Sequence, residues 1–175
     1  MKLRFVEGGG WDSKVIRWDT RCRWSHVEAF YGDYTVGAML KDGVARRALT
    51  DPVYRRAVAY QIVEINTTVQ ANKIFDDFNQ QQIGKPYDVR AIIGFGMGER
   101  DWRNPSAWFC SEDQVRALEL AGIVQLPDDI PMWRITPRDV WLLLAGKVQL
   151  LNAATHQAMM LGNSNLVSFC PVVTA

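Results

Sequence analysis

The chain predicts an α+β fold, a mostly antiparallel sheet with helices packed on one side. Strand-like runs crowd into residues 1–66, and helical patterns crowd into 67–146. No strand–helix alternation points to a parallel sheet. At 175 residues the chain is about one domain long. It is expected to be a single domain over 1–175, with a core at about 24–146 and a C-terminal extension over 147–175.

The elements follow in order. RWSHVEAFYGDYTVGAML reads as a hairpin, because runs rich in Val, Phe, Tyr and Thr flank the turn pair Gly32-Asp33. Lys41-Asp42-Gly43 is a second turn, and GVARRAL is the short strand after it. AVAYQIVEIN is largely apolar on both faces, as a central strand is. Thr67-Thr68 caps a helix over about 69–82, with Ile74, Phe75 and Phe78 on its apolar face. Gly84 and Pro86 end it. A second helix is expected from near Asp88 through VRAIIGF to Gly94, Gly96 and Gly98. The strongest helix is SEDQVRALELAG, where Ser111 and Gln114 suggest a capping box and Gly122 a stop. TPRDVWLLLAG opens with Thr136 as N-cap and Pro137 at N1.

Composition excludes several classes. Hydrophobic residues are 48% and charged residues 22%, so a packed core is expected rather than disorder. A net charge of +1 gives no overall footprint for nucleic acid or an anionic membrane. No apolar stretch approaches the ~18 residues that span a bilayer, and MKLRFVEGGGWDSK has no secretory core. Three Cys with no CxxC argue for a reducing compartment, so a cytoplasmic location is expected.

Cys110 stands immediately before the capping serine of its helix, in WFCSEDQV. A helix N-terminus stabilises an anion by about 0.3–1 kcal/mol. That is under one pKa unit at about 1.36 kcal/mol per unit. Glu112 and Asp113 oppose it, so a reactive Cys110 needs an imidazole beside it. The competing reading is a small buried Cys. His26, in WSHVEAF, shares a strand face with Glu28 two residues on. Glu28 is placed to orient the ring; a surface His–Glu pair is the bland alternative. His156, in NAATHQAMM, reads as a solvated or packing histidine. Cys22, His26, Glu28 and Cys110 have no zinc-type spacing, so no metal is expected. Gly8-Gly9-Gly10 and the Gly94–Gly98 run lack the Lys-Ser/Thr of a phosphate loop. Trp24 and Trp108 lie two residues before His26 and Cys110, and they wall one cleft if those two meet; otherwise they are core.

Four segments in order, S-H-V-E on a strand, K-D-G-V-A-R, G-K-P-Y-D, and F-C-S-E opening a helix, resemble the circularly permuted branch of the NlpC-type papain-like superfamily, found in phage and bacterial proteins. The matching segments run from about Trp24 to Gly122, and His26 precedes Cys110 by 84 positions. The resemblance implies a papain-like fold with the His strand before the Cys helix. It implies Cys110 as nucleophile, His26 as general base, and Glu28 as third member, with Thr35 on the next strand as the other option. It places Tyr87 at the approach to the site, while Asp88 reads as a helix cap.

The function expected on this basis is a cysteine hydrolase or acyltransferase without cofactor. Its substrate would be a peptidoglycan-type peptide amide or a lipid-like acyl group. Cys110 attacks a carbonyl, His26 moves the proton, and the Cys110 backbone N–H meets the oxyanion. Tyr87, Trp24 and Trp108 would contact substrate. The rival expectation is a non-catalytic structural or interaction module, for instance virion-associated, on the same scaffold.

Overall fold

The computed structural model describes residues 1–90, 106–147 and 149–151. In chain order the elements are β1 (Lys2–Gly8), α1 (Trp11–Thr20), β2 (His26–Phe30), β3 (Tyr34–Met39) and β4 (Gly43–Ala48). A 3-10 turn (Pro52–Arg56), β5 (Ala57–Glu64) and α2 (Val69–Gln82) come next. Then follow α3 (Cys110–Leu120), a second 3-10 turn (Met132–Arg134), α4 (Pro137–Leu144) and β6 (Gln149–Leu151).

The six strands make one sheet in the order β4-β3-β2-β1-β5-β6, antiparallel at every pairing. β1 lies between β2 and β5, and its alternation sets the two faces. Leu3 pairs with Ala29 and Phe5 with Val27 on one face. Arg4 pairs with Glu28 and Val6 with His26 on the other. The first face carries the main core. There Leu3, Phe5, Val27, Ala29 and Val63 join Phe75 of α2, Val115 and Leu118 of α3, and Val140 and Leu144 of α4. Phe5, Trp24 and Trp141 close one end of it, Phe5 and Trp141 meeting edge-on at 5.0 Å. The Pro52–Arg56 turn covers the Arg4–Glu28 pair on the second face through Tyr54.

The papain-like, circularly permuted architecture expected from the short motifs is corrected here: the strands build an open antiparallel sheet flanked by helices. Short motifs set local turns and helix starts; they do not specify which strand pairs with which. One helix was not anticipated, and one local expectation is also corrected. α1 interrupts the β-rich first stretch. Two of its large apolar residues, Trp11 and Trp18, face solvent and blur the helical pattern. α3 starts one residue before Ser111, with Phe109 as N-cap and no side-chain cap. Ser111 is drawn instead to the Ile135 carbonyl at 2.6 Å, and Gln114 to Asn79 at 2.9 Å.

Thr68 does cap α2 through the Ala71 N–H, and Thr136 forms a capping box with Asp139. Asp88 accepts from the Arg90 N–H at 3.0 Å, as a helix cap does. The body of the helix expected after it lies outside the described residues, as do His156, Cys170 and most of the C-terminal extension. β4 is the last strand on its side of the sheet. There the Val44 N–H donates to the Lys85 carbonyl at 2.9 Å, and the Gly84 N–H donates to the Val44 carbonyl at 2.8 Å.

Candidate functional site

His26 is the first residue of β2, and Glu28 follows on the same face. Glu28 has no exposed surface. Its Oε1 accepts from Arg4 Nε at 2.8 Å. Its Oε2 faces His26 Nε2 at 3.2 Å and accepts from the Tyr54 hydroxyl at 3.0 Å. Tyr54 in turn bonds Thr35 Oγ1 at 2.6 Å. The Arg4 guanidinium lies 4.0 Å from the centre of the Tyr54 ring. Gly37 makes room for the carboxylate, since a Cβ there would stand 2.7 Å from the Glu28 Cβ.

α3 brings Cys110 to the same histidine. A parallel bridge between Tyr87 and Trp108 positions the start of that helix: the Asp88 N–H donates to the Trp108 carbonyl, and the Trp108 N–H to the Pro86 carbonyl, both at 3.0 Å. Cys110 is packed with Ile16 and Phe109, against Tyr87 and Leu40. Burial pulls the His26 pKa down, but charge and a hydrogen bond from Cys110, with the same from Glu28, outweigh it and raise it to about 9. The ring is therefore an imidazolium at neutral pH. Burial pushes Glu28 up, yet Arg4, His26 and Tyr54 bring it down to about 2. The Tyr54 hydroxyl is held well above its ordinary range, first by burial and then by Glu28, so it stays a donor.

His26 opens on a cavity of about 490 Å³. Its wall is largely apolar, with Val6, Ile16, Met39, Leu40 and Trp11. The charged side chains in that wall are His26, Lys41 and Arg56, against one carboxylate, Asp12. Tyr87 lines the cavity; Trp24 and Trp108 do not. Trp24 belongs to the core beside Phe5 and Trp141. Trp108 packs on Phe78 and bonds Gln82. Cys110 is 1% exposed and is absent from the cavity wall, so its sulfur acts on the imidazole rather than on the space beyond it.

Arg4 and Tyr54 escape a motif-based reading. One signal for Arg4 was present: a lone guanidinium inside the apolar run LRFV is a buried charge that must have a partner. Tyr54, in a turn, gives no such signal.

Among the described residues, no group of three or more His, Cys, Asp or Glu side chains is placed to hold a metal ion. The donors near His26 are spent on one another: both Glu28 oxygens are taken by Arg4, His26 and Tyr54, and the histidine Nε2 by Glu28. The described residues do not fit a resident metal.

No family model matches the sequence, and no curated protein matches it. Among solved structures, five chains match this one, which is an open antiparallel sheet with helices. One is that of YiiX from Escherichia coli O157:H7, described as a metalloprotein of DUF1105. The two share 16% identity with a TM-score of 0.63, over 86% of this chain and 94% of that one. At that identity the likeness concerns the fold.

These findings overturn the NlpC-type papain-like assignment, and with it the cysteine hydrolase or acyltransferase activity and the enzyme class it implied. The sequence motifs do converge on one histidine. A nucleophile shut away from the cavity, however, does not serve a substrate held there. The rival module loses its papain-like scaffold on the same grounds. No helix among the described residues is long and apolar enough to cross a membrane.

Proposed function

We propose that this chain is a small-molecule-binding protein whose cavity takes an anionic ligand with an apolar body, such as a small amide or acyl compound bearing an acidic group. The observation that carries the reading is the place of His26 in the wall of an apolar cavity, with the buried Glu28 carboxylate and the Cys110 sulfur behind the ring raising its pKa to about 9. A volume of about 490 Å³ falls in the range of small-molecule sites, which pair apolar walls with a few placed polar groups. In this reading His26 contacts the ligand, Glu28 and Cys110 hold the ring, and Tyr87 lines the approach. Lys41 and Arg56 add to the positive field. The protein works as one domain over 1–175. The buried thiol of Cys110 suits a reducing, cytoplasmic setting.

The test compares 8-anilinonaphthalene-1-sulfonate with its neutral relative N-phenyl-1-naphthylamine by fluorescence titration. Wild type should bind both. His26→Gln should lose about tenfold in affinity for the sulfonate, about 1.4 kcal/mol, and keep its affinity for the neutral probe. Sulfonate binding should also fall as the pH rises through about 9. Equal sulfonate affinity in the two proteins, with circular dichroism unchanged, would refute the reading.

A further inference from the structure

We propose that α1 docks the protein onto an anionic lipid surface. The helix exposes Trp11, Lys14 and Trp18, and Arg21 is exposed just beyond its end. Spacings of three, four and three put all four on one face. Ile16 and Thr20 are buried on the other. The indoles are 65% and 76% exposed, unusual for a residue that is mostly buried in folded proteins. Indole and cation together are the chemistry of the membrane–water interface, where the ring enters the headgroup layer and Lys or Arg meets phosphate.

Charge complementarity selects the occupant. Trp18 borders a shallow depression lined by Lys14, Arg17, Arg21, Cys22 and Arg23, with no carboxylate in its wall. Glu7 lies beneath and is engaged by Arg17 and Arg23 at 2.9 and 2.8 Å. Lys14 and Arg21 have no acidic partner among the described residues and remain for headgroup phosphates. The net charge of +1 hides this clustering, because it averages over the chain. Trp11 also lines the rim of the large cavity, so docking through α1 turns that opening toward the lipid. The inference does not depend on what the cavity binds.

The experiment is flotation of the full chain with vesicles of phosphatidylglycerol in phosphatidylcholine, against pure phosphatidylcholine. Wild type should float with the anionic vesicles only, and less as salt rises. Trp18→Ser should weaken binding about tenfold. Lys14→Gln and Arg21→Gln should each cost about fivefold, the equivalent of about 1 kcal/mol per cation. All three positions are on the surface, so melting temperatures should hold. Equal flotation with neutral vesicles, variants that float like wild type, or no flotation at all would each overturn the proposal. Stabilisation by inorganic phosphate without flotation would likewise overturn it, assigning the depression to a free anion.

Discussion

Glu28 is a carboxylate without solvent, and three neighbours keep it charged: Arg4, His26 and Tyr54. Removing a partner from a buried ion pair is costly because the other charge is stranded. Glu28→Gln leaves the Arg4 guanidinium buried with only a neutral amide beside it. A loss of about 3–5 kcal/mol in urea unfolding is expected. The His26 pKa should also drop from about 9 toward its ordinary 6.5, read by NMR titration of the ring. If the ring titrates unchanged, Cys110 alone holds the proton. At this scale much of the site was legible. SHVE placed His26 and Glu28 on one strand face and FCSE placed Cys110 at a helix start, because a two-residue strand spacing and a helix start are local facts; that the two segments meet was implied only by the overturned resemblance. Arg4 and Tyr54 were not legible, because their roles come from strand pairing and a turn crossing the sheet. The burial of Cys110 was one of its two readings, the small buried Cys, and it holds; the neighbours that enclose it, Ile16, Tyr87 and Leu40, come from distant segments and were not legible.

Elements hold these side chains through close approaches. β3 passes β2 with Gly37 against Glu28, and a methyl group there would meet the Glu28 Cβ at 2.7 Å. Gly37→Ala should therefore push the carboxylate away from Arg4 and His26. A loss of about 1–3 kcal/mol is expected from the overpacking, together with a lowered His26 pKa. A variant with wild-type stability and ring titration would show that the strands part without moving the site. The caps at Thr68 and Thr136 were legible because each satisfies its own helix with its own hydroxyl. α1 was not, since its outward indoles disguise its buried side. The capping box at Ser111 was misread for the opposite reason: both of its members are claimed by tertiary partners.

For the whole molecule, titration of the buried groups shapes stability against pH. Glu28 is lowered from 4.5 to about 2, so its contribution is complete above 4.5 and is lost as pH falls through about 2. Asp113 is raised from 3.8 to about 7, by burial first, so its contribution is complete below 3.8 and is lost as pH rises through about 7. His26 is raised from 6.5 to about 9, so its share persists below 6.5 and disappears through about 9. Maximum stability should thus fall near pH 4–5, seen as a peak in thermal or urea denaturation across pH. Asp113→Asn should remove the decline between about 4 and 7 and stabilise the protein at pH 8 by about 1–2 kcal/mol. A stability maximum at neutral pH in wild type would contradict this assignment. The strands from His26 to Glu64 and most helix starts were readable at this scale, while β1 and α1 were not read as elements. The order of strands was not readable, because β1 enters between β2 and β5 through pairings 20 to 62 residues away along the chain.

The outermost strand on one side of the sheet is β4, and both main-chain polar groups of its Val44 are already satisfied by Gly84 and Lys85. Where it is occupied in this way, the margin gives an incoming chain no free main-chain groups to pair with. Cross-strand growth at Val44 must wait until the 84–85 segment peels off, so local detachment there, short of global unfolding, opens that point of the edge.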